Sequence, residues 1–132
     1  MTTPDLLQRA AEATAPDPEV WAWMQSALQS ALRGKPLIAA LGLDGRALID
    51  ARLAARNTTL RQAFALIDGP SKTARIDALA KAARRFEAHR WAQWRGMDNP
   101  PPTATRLQSL LFSARQFHPL PGARQLHNLL AD

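Results

Sequence analysis

The chain has 132 residues, ten of them proline and none cysteine, with 17 Lys+Arg against 11 Asp+Glu for a formal charge of +6. That length suits one compact domain, or one domain with an appended hairpin, and excludes a two-domain enzyme of about 300 residues. Composition excludes a sheet protein: 26 Ala and 19 Leu stand against one Val and four Ile, and β-branched side chains are what a pleated surface selects.

The expected elements follow from their end signals. Thr3 caps a short helix starting at Pro4, with Leu6, Leu7, Ala10 and Ala13 as its apolar stripe. Asp17 caps a second helix over 18–33, with Pro18 at its first position and Gly34 just past its end. Val20, Met24, Ala27, Leu28 and Ala31 line the buried face expected for it. A short turn of helix, 36–41, leads through Gly42 and Asp44 into a helix near 45–56, stopped by Asn57. Thr59 and Gln62 have capping-box spacing for a two-turn helix 60–67, closed by Gly69-Pro70. Ser71 caps the longest helix, 72–95, stopped by Gly96. Pro100-Pro101-Pro102 cannot be helical and marks a stiff corner. Beyond it, Thr105 and Gln108 open a helix to about Phe117, and a last helix follows over 123–130. The expected fold is an all-α compact bundle of five to seven helices. Residues 1–99 form its helical core, and 100–132 a C-terminal helical hairpin docked on the same domain.

Residues 25–37 and 108–120 match at seven of thirteen positions, and both read as helix followed by Pro-Leu. An internal duplication would leave such a trace, although an Ala/Leu/Gln-rich helical chain also produces it readily.

Charge is concentrated in the middle of the chain. Residues 1–30 hold one base and four acids, 31–95 thirteen bases and five acids, and 96–132 three and two. Fourteen of the 17 bases are Arg, whose planar fork suits phosphate and carboxylate. GC-rich codons account for part of that bias. On helix 72–95, Ile76, Leu79, Ala83, Phe86 and Trp94 share an arc of about 80°. Lys81, Arg84, Arg85 and Arg95 lie opposite, either as a solvated face or as a surface for nucleic acid or an acidic partner. Arg90 falls inside the apolar arc. Either it pairs with an acid such as Glu87, or residues 89–95 project as a basic and aromatic patch. In that patch Arg90, Trp91 and Trp94 interleave cations with indoles as single-strand binders do, while packing of the indoles on the Trp21/Trp23 helix is the plainer alternative. Helices 45–56 and 60–67 have helix-turn-helix spacing without the usual turn glycine.

No Gly-rich phosphate loop, nucleophile elbow or HExxH pattern occurs, and His89, His118 and His127 lack metal-ligand spacing. The expectation is therefore a non-enzyme with no cofactor and no metal site. The longest apolar run, Pro36 to Leu43, is far short of the roughly 20 residues that span a bilayer. The start of the chain has no signal-peptide core, so the expected compartment is the cytoplasm.

Two functions fit. The first is a non-catalytic nucleic-acid-binding protein, a regulator or a small subunit of a nucleoprotein complex. In it Lys81, Arg84, Arg85 and Arg95 contact phosphates, Arg90, Trp91 and Trp94 meet bases, and Arg52, Arg56 and Arg61 form a rim. The alternative is a protein-protein adaptor, chaperone-like or inhibitory module. Its interface, or one between copies of the chain, would be the leucine-rich hairpin with Leu107, Leu110, Leu111, Phe117, Leu126, Leu129 and Leu130.

Overall fold

A computed structural model describes residues 2–131, and every regular element in that range is a helix. The seven helices are α1 (Thr3–Glu12), α2 (Pro18–Leu32), α3 (Leu37–Ala40), α4 (Ala47–Phe64), α5 (Lys72–Phe86), α6 (Arg106–Phe117) and α7 (Ala123–Leu130). A π turn, Glu87–Trp91, and a final α turn, Ala92–Trp94, prolong α5. The all-α class is the one read from the composition, and the seven helices fall within the five to seven expected from the end signals.

Local chemistry sets most of the helix ends. Asp17 Oδ1 accepts from the Glu19 and Val20 amides at 3.1 and 3.4 Å, and Gly34, at φ +100°, closes α2 in the left-handed region. Ser71 Oγ accepts from the Ala74 amide. Thr105 and Gln108 satisfy each other's amides at 3.0 and 3.1 Å, a complete capping box. The first cap is Thr2 rather than Thr3. Asp5 supplies the reciprocal half of a capping box, accepting from the Thr2 amide while its own amide donates to Thr2 Oγ1.

The expected break at 57–59 does not exist, since α4 runs unbroken through it. The Thr59 hydroxyl donates to the Ala55 carbonyl one turn back, at 3.0 Å, which is bonding inside a helix and not capping. The Asn57 side chain accepts from Arg56 Nε and Nη2 at 3.2 and 3.0 Å. With one continuous helix in place of two, residues 45–67 hold no helix-turn-helix.

The chain forms two compact units, residues 1–54 and 55–132, so the division falls inside α4 rather than at the triple proline. In the first unit α2 packs against α1 and α3. Arg9 links α1 to the start of α2, donating to Asp17 at 2.6 Å and to Glu19 at 3.2 Å. The guanidinium beside it holds the Asp17 carboxyl below the usual carboxylate range. Trp23 Nε1 donates to the Leu41 carbonyl at 3.1 Å. The buried apolar residues described here are few: Val20, Ala27, Leu43 and Ala51. Met24 and Leu28, expected on the buried face of α2, are exposed.

The second unit has a larger core. Leu60, Ile76, Leu79, Ala83, Phe86 and Trp94 pack with Leu111, Phe112, Leu126 and Leu130. The C-terminal hairpin therefore supplies core to its own unit, stacking α7 on α5. Its partner-binding reading is corrected accordingly. Leu111, Leu126 and Leu130 are buried, Leu107, Leu110 and Leu129 are half-buried against the same cluster, and Phe117 alone of the set is exposed. The proposed duplication gains no support, because the paired positions Leu28 and Leu111 are 47% and 1% exposed.

Candidate nucleic-acid interface

Assigned to the two units, the charge sharpens. Residues 1–54 carry five bases and six acids, whereas 55–132 carry twelve bases and five acids. The whole positive excess belongs to the second unit.

The fold then sorts those cations. Four hold structure. Arg56 is buried and donates to Asn57 and to the Pro119 carbonyl, the latter at 2.7 Å, with His118 Nδ1 at 3.5 Å. Burial pulls its pKa below the ordinary arginine value. Arg75 donates to the Ile67 and Phe64 carbonyls at 2.8 and 3.2 Å and lies over the Phe64 ring. Arg115 pairs with Glu87 at 2.7 Å and covers the Trp91 ring at 4.5 Å. Lys72 donates to the Ala131 carbonyl. Arg56 is thus removed from the expected rim, because its guanidinium is used inside the fold.

The remaining cations face outward. Lys81, Arg84, Arg85, Arg90 and Arg95 are exposed, as are Arg61 on α4, Arg106 on α6 and Arg124 on α7, and none of these eight forms an ion pair among the described residues. Asp77, the acid on the same face of α5, is taken by His127 at 2.7 Å. Arg52 is exposed but lies in residues 1–54, outside this unit.

The position of Arg90 has a backbone cause. A π turn takes up one residue more than an α turn, so Trp91 instead of Arg90 comes round beneath Phe86. Trp91 packs half-buried at 5.9 Å from Phe112, and Arg90 stays in solvent with its guanidinium 5.9 Å from the Trp94 ring. Glu87, the partner expected for Arg90, is bound to Arg115 instead. Trp94 is 7% exposed and sits edge-on to Phe86 and Phe112. Trp94 is therefore closed to a base, and Trp91 is half-buried with the Arg115 guanidinium over its ring. Both pack within their own unit.

A groove of about 430 Å³ opens beside the π turn. Arg85, His89 and Arg90 form one wall, Thr105 and Gln108 at the start of α6 the other, and Phe86 and Leu111 lie at its floor. The first turn of α6 holds Arg106 and no acid, so nothing in that turn offsets the positive end of the helix dipole. Sequence reasoning missed this groove, because its walls are about twenty residues apart and the π turn has no readable signal. Among the described residues no cluster of His, Asp and Glu is placed to hold a metal, and no helix is long and apolar enough to cross a membrane.

Compared with protein-family models, curated proteins and solved structures, the chain matches none.

Proposed function

We propose that the protein is a non-catalytic nucleic-acid-binding protein that contacts phosphates through the exposed face of α5 and the groove beside its π turn. The observation that carries this reading is the separation of the second unit's cations. Structural guanidiniums are each bound to carbonyls, an amide oxygen or a carboxylate, while Lys81, Arg84, Arg85, Arg90 and Arg95 stay free of ion pairs on one helix. Free cations of one sign on a rigid element attract a polyanion and release its counterions on contact. With the indoles covered, recognition is of backbone charge rather than of base sequence.

The test is binding to labelled single-stranded and double-stranded oligonucleotides, followed by anisotropy as salt is varied. Five phosphate contacts give a slope of log K against log salt of about −3.5 for single strands and −4.5 for duplex. No binding in 50 mM salt, or an affinity insensitive to salt, would overturn the reading.

A further inference from the structure

We infer that α2 is a dimerisation helix, on which a second copy of this chain packs antiparallel. This inference concerns the first unit and does not rest on the nucleic-acid reading.

The first unit buries four apolar side chains among those described, yet leaves Trp21, Met24, Leu28, Leu32, Leu37, Ile38 and Ile49 exposed. Four of these form a line on α2. At 100° per residue Met24, Leu28, Trp21 and Leu32 occupy an arc of about 80°, turned roughly 90° away from the Val20 and Ala27 face that packs inward. They are 37, 47, 59 and 89% exposed. Only the Val20 and Ala27 side of this broad apolar arc packs inward, and its exposed side is open to meet another surface.

Shape selects a second copy as that surface. Laid antiparallel with Trp21 of one copy opposite Leu32 of the other, the contact has an apolar pair at each end, with Met24 opposite Gln29 and Leu28 opposite Gln25 between them, so both ends are alike, as a two-fold interface requires. An apolar groove of about 500 Å³ lies beside Trp21 and Met24, lined also by Ala10, Ala13, Pro16 and Val20. In the reversed arrangement Leu32, the most exposed of the large apolar side chains, lies opposite that groove as a knob opposite a hole.

The charges agree with this direction. The start of α2 carries Asp17 and Glu19, both already paired with Arg9, and its end Arg33 and Lys35. Antiparallel packing opposes the helix dipoles and sets this neutralised end beside the basic one, whereas parallel packing sets two basic ends side by side. The four stripe residues expose on the order of 500 Å² per copy, so a symmetric pair buries about 1,000 Å², the threshold for a specific interface.

The experiment is light scattering on nuclease-treated full-length protein, which removes any assembly on nucleic acid. The expected mass is twice the chain's 14.5 kDa. Leu32→Asp shifts it to the single-chain mass with helix content unchanged, since Leu32 supports nothing in its own unit, and Leu28→Gln gives a milder shift in the same direction. A monomer at all concentrations up to about 100 μM, or a dimer indifferent to both variants, overturns the proposal. Direction is tested separately, using the absence of native cysteine. Oxidation of a mixture of Trp21→Cys and Leu32→Cys proteins yields a disulfide between the two variants, while neither cross-links alone, because equivalent positions lie about 16 Å apart along an antiparallel pair. Cross-linking of each variant with itself overturns the antiparallel arrangement.

Discussion

Arg56 donates from Nη1 to the carbonyl oxygen of Pro119 at 2.7 Å, tying the middle of α4 to the corner between α6 and α7 across 63 residues of sequence. Prolines 119 and 121 keep that corner out of helical geometry, which leaves its carbonyl without a helical partner, and a buried cation supplies one. Removing the guanidinium strands both Pro119 and Asn57. Arg56→Ala is expected to lower the unfolding free energy by about 2–3 kcal/mol in urea titrations. The folded fraction should bind nucleic acid with an unchanged salt slope, which separates this arginine from those of the α5 face.

Phe112 is fully buried and touches both indoles, with ring centroids 5.9 Å from Trp91 and 6.4 Å from Trp94. Phe112→Ala removes the side chain on which the π turn rests and should cost about 3–5 kcal/mol. The expected readout is cooperative loss of the second unit, with tryptophan emission moving to the red as Trp94 meets water.

Outward and structural cations should respond differently to the same substitution. Changing Lys81, Arg84 or Arg85 to Ala is expected to leave thermal stability within about 0.5 kcal/mol. Each change should reduce the magnitude of the salt slope by about 0.7–0.9 and weaken binding alike for all sequences. Arg75→Ala, which uncaps two carbonyls at the end of α4, should do the reverse, lowering stability and sparing the slope. Equal effects of the two groups on the slope would remove the ground for assigning the α5 face.

Acid should loosen the first unit as the Asp17 carboxylate is protonated. Arg9 holds the Asp17 carboxyl below the usual carboxylate range, so the folded state favours its charged form. The contribution is complete above the unfolded carboxylate pKa of about 3.9 and is lost as pH falls through and beneath that value. Asp17→Asn should flatten the acid limb of a stability-against-pH curve measured by circular dichroism. An unchanged limb would mean that the contact with Arg9 carries no weight in solution.

What the residues determine by themselves is local. The all-α class follows from the ratio of alanine and leucine to β-branched residues. The ends at Asp17, Ser71 and Thr105 follow from side chains that reach amides two or three positions away. Such signals fail where a competing local bond exists. Thr59 carries the chemistry of a cap, but inside α4 its hydroxyl finds the Ala55 carbonyl instead, and the apparent turn becomes uninterrupted helix.

Which cations and apolar faces are buried and which are exposed was decided only by tertiary structure. Arg56 and Arg61 look alike in the sequence, yet one is buried against the Pro119 carbonyl and the other is exposed. Arg90 leaves the core arc because one extra residue in a π turn brings Trp91 under Phe86. The leucines of the C-terminal hairpin look like an unpaired interface until Phe86 and Ile76 are brought against them, while the stripe on α2 looks like core until nothing within its unit covers it. Periodicity reports that a face is apolar, but which surface meets it depends on contacts between distant parts of the chain, and those exist only once it has folded.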